Sequence, residues 1–159
     1  MNTRTIPNLE PVLKSLHVQC SRPLAFEVFT ARIHEWWPLD THSVGQTAAR
    51  SVVLEPAEGG RLYERCDDGT EHLWGTVTHW DPPCGFDCTW HPGRAPEQAT
   101  RLKLRFDTEG RGTHVTLEHD GWEALGEQAE ETRAGYDTGW ENVFGAQYRD
   151  AAATMAAAG

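Results

Sequence analysis

After a succession of short strand-like segments, the last third of the chain turns into one long helical pattern that begins near Gly126. Apolar residues recur at Leu125, Ala129, Tyr136, Trp140, Val143, Phe144, Tyr148, Ala151, Ala152 and Met155, mostly three or four apart, which places them on a single stripe. A helix with one apolar stripe must bury it, and the strands upstream supply the surface. The expected class is therefore α+β: a curved antiparallel sheet of about seven strands, two short helices after strand one, and a long C-terminal helix packed across the sheet. A broad aromatic helix on a curved sheet commonly leaves room for a small molecule between them.

Residues 1–11 carry Pro7 and Pro11 among polar neighbours and read as a loose lead-in. From Leu13 to Cys20, Leu16, Val18 and Cys20 alternate with Ser15, His17 and Gln19, as in a strand with one buried face. Ser21 is placed to cap a helix, with Pro23 in its first turn and Leu24, Ala25, Val28 and Phe29 at helical spacing. That pattern continues through Ile33 to Trp36 and Trp37 before Pro38 stops it. Residues 39–50 read as a loop. Six further strands are predicted at 51–55, 61–66, 72–80, 85–91, 100–107 and 113–119, separated by turn chemistry such as Glu58-Gly59-Gly60, Asp67-Asp68-Gly69 and Asp81-Pro82-Pro83. Connectors this short favour antiparallel neighbours. Gly135 and Gly139 weaken the terminal helix and Thr138 to Glu141 has the spacing of a capping box, so a kink or restart is expected near Asp137. The Ala-rich end from Ala151 is expected to fray.

A chain of 159 residues is one domain's worth, expected as a single unit over 1–159 with its core at about 12–155. Its formal charge of −10, with 14 scattered Lys and Arg, argues against nucleic acid or anionic lipid as partner. Cys20, Cys66, Cys84 and Cys88 read as reduced thiols rather than a disulfide scaffold. Met1 to Pro11 has no apolar run, so neither a signal peptide nor a membrane span is expected, and the cytoplasm is the default location.

Chemistry is sparsely signalled. Leu102, Leu104 and Phe106 form one strand face and Val115, Leu117 and His119 the next, so an imidazole stands where an aliphatic residue was expected. His119 is placed to hydrogen-bond a polar ligand group, although a satisfied core histidine is the plainer reading. Asp120 points to the opposite face, which makes a His–Asp catalytic pair poor geometry. Arg61 and Glu64 either line an opening or pair on the surface. His79, Cys84, Cys88 and His91 have the composition of a zinc site. Strand rise nevertheless separates the two cysteines by roughly 13 Å and turns His91 away, so no metal is assigned. Nucleophile elbows, phosphate loops and dinucleotide fingerprints do not occur in the sequence.

Particular segments narrow the fold: Glu35-Trp36-Trp37-Pro38, Glu58-Gly59-Gly60-Arg61 with Tyr63-Glu64, Trp74-Gly75-Thr76-Val77, Asp81-Pro82-Pro83, Thr89-Trp90, Val115 to His119 with Gly121-Trp122, and Gly139-Trp140. In this order they resemble the activator-homologue family of the heat-shock-chaperone ATPase, within the START-like helix-grip (SRPBCC) superfamily. The resemblance runs from about residue 12 to about 155. It implies a hydrophobic cavity between sheet and C-terminal helix, with no catalytic residues common to the family. The self-sacrifice proteins of enediyne producers are similar in the Glu-Trp-Trp-Pro, Gly-Gly-Arg and Leu-Glu-His segments. The co-chaperone role belongs to longer relatives with an added N-terminal domain, so a chaperone partner is not expected.

Seven tryptophans are the strongest signal from the residues themselves, since each ring buries roughly 150–250 Å² and keeps an N–H for a partner. Trp36, Trp80 and Trp122 read as core. The resemblance sets Trp37, Trp74, Trp90 and Trp140 around the cleft, balanced between core and cavity wall, with Tyr63, Phe106, Tyr136 and Phe144 as similar cases. The expected binding set is therefore these eight and His119. The leading expectation is non-catalytic binding of a small hydrophobic or aromatic ligand, of lipid or polyketide type, with no cofactor. The alternatives are a self-resistance protein against an enediyne-type antibiotic, by self-sacrifice or sequestration, and a polyketide cyclase or aromatase-like enzyme using His119 or a carboxylate.

Overall fold

A computed structural model describes residues 9–158, so most of the lead-in lies outside the described residues. Seven strands form one antiparallel sheet: β1 (Val12–Val18), β2 (Ala49–Leu54), β3 (Arg61–Cys66), β4 (Glu71–Asp81), β5 (Gly85–Trp90), β6 (Thr100–Glu109) and β7 (Gly112–Asp120). Their spatial order is β1-β7-β6-β5-β4-β3-β2, so the chain crosses from one edge to the other between β1 and β2 and then meanders back. That crossing carries helix α1 (Arg22–Phe29) and a 3₁₀ turn at Ile33–Glu35, the predicted helical pair. Ser21 caps α1, its hydroxyl accepting from the Leu24 amide at 3.3 Å.

Alternation fixes which face is buried. Register pairs Phe106 with Val115, Leu104 with Leu117 and Leu102 with His119, all pointing inward. The outer face carries ion pairs between the same strands, Arg101–Asp120 at 3.0 Å and Lys103–Glu118 at 3.6 Å, and these exposed bridges contribute at most about 1 kcal/mol each. Asp120 thus faces away from His119, as the period of two requires. Register shifts in β2–β3, β3–β4 and β4–β5 bend the sheet around its concave face. Gly75 sits at this bend, where a Cβ would run into the Thr89 carbonyl.

The C-terminal region is a 3₁₀ turn (Trp122–Gln128), helix α2 (Ala129–Asn142), a π-helical turn (Val143–Tyr148) and helix α3 (Arg149–Ala158). The expected kink near Asp137 is not there: α2 runs unbroken through it, and the irregularity begins only at Val143. Thr138 does not cap. Its hydroxyl donates back to the Ala134 carbonyl at 3.4 Å. Two glycines cost a helix only about 1 kcal/mol each, and tertiary anchors outweigh that: Trp140 is buried, and Lys14 bridges Asp137 and Glu141 at 2.8 and 2.6 Å. The Ala-rich end is helical to Ala158, with Ala152 buried. No helix among the described residues is long and apolar enough to cross a membrane.

One half of the space between helix and sheet is solid. Phe26 and Phe29 of α1 meet Phe86 and Phe106 of the sheet and Tyr148 of the π turn at ring separations of 5.2 to 5.9 Å for Phe26–Phe106, Phe29–Phe86 and Phe29–Tyr148. The Tyr148 hydroxyl donates to the Ala25 carbonyl at 2.9 Å, locking α1 to the C-terminal helix. An open, aromatic-lined space lies at the opposite end, over β4 and β5.

Candidate functional site

A cleft of about 340 Å³ opens there, with three walls. The loop after the 3₁₀ turn supplies Trp37, Thr41, His42, Ser43 and Val44; the ends of β4 and β5 supply Trp74, Trp90, Pro92 and Gly93; the helix side supplies Tyr136, Gly139, Trp140 and Val143. Trp37, Trp74, Trp90 and Trp140 form one cluster, with ring centroids 5.2 Å (37–74), 5.7 Å (74–90) and 5.6 Å (90–140) apart. Packed against one another, all four are buried and together make a rigid aromatic floor. Among the described residues, no Asp, Glu, Lys or Arg lines the cleft.

Buried polar groups hold the walls in place. Glu64 is fully buried on the inner face of β3. Its carboxylate accepts from the Val44 amide at 2.6 Å, the Gly45 amide at 2.7 Å and the Trp74 indole N–H at 2.7 Å. One side chain therefore ties the loop wall to the floor. Glu64 neither lines an opening nor pairs with Arg61, which bridges Glu55 and Glu71 on the outside; this corrects both expectations. Trp37 is fixed in turn by donation of its N–H to the His42 carbonyl at 2.7 Å.

His119 is the satisfied core histidine. The Trp140 N–H donates to its Nδ1 at 3.0 Å, which leaves the proton on Nε2 to be donated to the Thr100 hydroxyl at 2.7 Å, and that hydroxyl donates to the Trp90 carbonyl at 3.1 Å. Burial lowers its pKa from 6.5 to about 3. Because the folded value is depressed, the unfolded chain takes up the proton first, so stability from this group is full above pH 6.5 and declines as pH falls toward 3. Urea unfolding should show a loss of about 2 kcal/mol between pH 7 and 5 that is absent from His119→Gln. Equal pH dependence in both proteins would contradict the assignment.

Of the nine residues expected to bind, the structure brings Trp37, Trp74, Trp90, Tyr136 and Trp140 to the cleft. Tyr63, Phe106, His119 and Phe144 stand outside it. Tyr63 points to the outer face, beneath the Arg61 guanidinium at 4.3 Å, because Leu62 and Glu64 take the inward positions of β3. Phe106 and Phe144 are fully buried in the solid half with Phe29. His119 has both nitrogens engaged behind the floor, which also removes it as a cleft acid or base. Thr41, His42, Ser43, Val44, Pro92, Gly93, Gly139 and Val143 escaped the sequence reading. Val143 stood in the apolar stripe of the terminal helix and Gly139 beside Trp140, but nothing in the sequence marked either as cleft lining.

The zinc-like quartet is not assembled. Among the described residues, the one cluster of ligand-type groups is Glu64, Cys66 and His72, within 4.8 Å of one another, and the Glu64 oxygens there already accept three N–H groups. Burial pushes the Cys20, Cys66 and Cys88 thiols up, the opposite of an activated nucleophile.

The family model described as Activator of Hsp90 ATPase homolog 1-like protein matches residues 19–148. Among solved structures, the anthrahydroquino-gamma-pyrone synthase Txn09, complexed with SUM, is 32% identical, covering 91% of this chain and 97% of that one with a TM-score of 0.64. CalC, a self-sacrificing resistance protein from Micromonospora echinospora, is 24% identical over 93% and 97%, TM-score 0.67. The Aha1 dimer from Colwellia psychrerythraea is 17% identical over 91% and 97%, TM-score 0.66. The last two likenesses show the helix-grip fold alone. No curated protein matches the chain.

Proposed function

The chain belongs to the activator of Hsp90 ATPase homolog 1-like family, and on that premise we propose that it binds a flat polycyclic aromatic compound of polyketide type in the tryptophan cleft. The observation that carries this reading is the floor of four buried indoles in a cleft with no charged side chain on its lining. Flat rings gain most from such a floor, by apolar burial at about 25 cal/mol per Å² and by ring–ring contact. At about 340 Å³ the cleft sits at the small end of ligand sites, roughly 300–1,000 Å³, which suits a compact fused ring system better than a long acyl chain. The likeness to a synthase of a fused anthrahydroquinone supports the same class of guest.

Gly139 provides the test. It lines the cleft, and a Cβ added there meets nothing within 4 Å. Gly139→Leu should fill the cleft without clash and stabilise α2 by up to about 1 kcal/mol. Emodin should quench the parent's tryptophan fluorescence with one-to-one stoichiometry and bind Gly139→Leu at least about tenfold more weakly. Equal quenching of both proteins would end the cleft reading.

Ring closure on such a guest is the second reading, favoured by the synthase relative and by His42 and Tyr136, the two titratable side chains on the cleft walls. It calls for closure of an ortho-hydroxyaryl 1,3-diketone into a fused pyrone, the phenol oxygen adding to the distal carbonyl and water leaving, and for loss of that closure in His42→Gln while emodin binding persists. Unchanged starting material with the parent protein counts against it. For the self-resistance reading, Gly93 and Gly139 are the glycines that line the cleft among the described residues, which supports them as the candidates. An intact chain after exposure to an activated enediyne would end it.

A further inference from the structure

Of the four indole N–H groups in the cleft floor, three have protein partners: Trp37 donates to the His42 carbonyl, Trp74 to Glu64 and Trp140 to His119. The fourth does not. Trp90 is 4% exposed, and its Nε1 is buried with no hydrogen-bond partner. A buried donor left unmet is destabilising, and native interiors rarely retain one without a use. Tyr136 stands beside it on the cleft wall, and its phenol feels the indole, yet the two do not meet at hydrogen-bond geometry. Its hydroxyl makes no hydrogen bond to any described residue. Burial raises the Tyr136 pKa above its ordinary value, against smaller influences of Trp90 and Arg94, so the phenol keeps its proton and can donate.

We propose that Trp90 Nε1–H and the Tyr136 hydroxyl form a donor pair reserved for a ring-bound oxygen of the guest, so that the cleft selects oxygenated arenes of quinone or aryl-ketone type over bare hydrocarbons. The inference rests on the cleft reading above and adds its specificity. Unmet donors discriminate sharply, because a guest that lacks the acceptor leaves both groups desolvated and unpaired. Trp122 is the contrasting case. Its N–H is also unmet, but the residue lies behind His119, with ring centroids 4.2 Å apart, and lines no part of the cleft. A competing occupant exists as well: Trp90 and Tyr136 also border a void of about 10 Å³ beside Arg94, Thr100 and Thr132, about the size of one water molecule.

The test compares anthraquinone-2-sulfonate with anthracene-2-sulfonate, a pair matched in ring count and charge and differing in the quinone oxygens. Calorimetry should show the quinone binding the parent at least about tenfold more tightly. Tyr136→Phe, and separately replacement of Trp90 by benzothienylalanine, which keeps the ring shape and drops the N–H, should each cut that preference about threefold or more and leave anthracene-2-sulfonate affinity unchanged. No preference in the parent, as expected if a trapped water already serves Trp90, overturns the donor pair while the cleft stands. Equal losses for both ligands in the variants overturn it too. Failure of both compounds to bind the parent overturns the cleft reading with it.

Discussion

Glu64→Leu is expected to cost about 3–5 kcal/mol of stability, the largest effect of any single substitution that leaves the cleft lining itself untouched. The carboxylate accepts from two loop amides and one indole, at 2.6 to 2.7 Å. Leucine fills much of the space but satisfies none of these donors. The Trp74 N–H is sealed in the core and has no route to water; the Val44 and Gly45 amides regain water only if the loop lifts away. Glu64→Gln should fall between, since its amide offers one acceptor oxygen and turns an NH₂ toward donors. Urea unfolding gives the stability, and amide exchange at Val44 and Gly45 reports the loop. Exchange should accelerate in both variants, with emodin affinity falling alongside. A Glu64→Leu protein of parental stability with unchanged exchange would remove Glu64 from this role.

Trp140→Ala is the second large expectation, also about 3–5 kcal/mol. Trp140 closes the floor against Trp37 and Trp90 and donates to His119 Nδ1. Alanine loses the ring contacts, enlarges the cleft into the core and leaves a buried imidazole nitrogen without its donor. Trp140→Phe should recover most of the packing but not the hydrogen bond, so the difference between Ala and Phe measures volume and the residual deficit of Phe measures the polar link. Matching stabilities for the parent and Trp140→Ala, by thermal and urea unfolding, would mean that the floor is not a packed unit.

Periodicity made most of the fold legible. The inward faces of β6 and β7 follow from strict alternation, the terminal helix from its three-four spacing, and α1 from Ser21 and Pro23. Local signals misplaced the break in the terminal helix. Gly135, Gly139 and Thr138 describe propensity, while Lys14 and the buried Trp140 act through contacts distant in sequence. The site was half legible for a related reason. Tryptophan marks a floor wherever it occurs, but the loop wall is placed by Glu64, a carboxylate in a strand that reads like any surface charge. The clue was the one that singled out His119: in Leu62-Tyr63-Glu64-Arg65-Cys66, a polar residue occupies the inward phase of an alternating strand. Read consistently, that anomaly marks two of the buried polar residues among those described, Glu64 holding the loop and His119 the helix.

The cleft is tested most directly by an emodin titration followed through the indole ¹⁵N–¹H resonances of the seven tryptophans. Saturable shifts should be largest for Trp37, Trp74, Trp90 and Trp140, with Trp90 moving most as its donor gains an acceptor, while Trp36, Trp80 and Trp122 stay close to their free positions. Shifts spread evenly over all seven, or none at saturating emodin, would contradict a binding site on the four-indole floor.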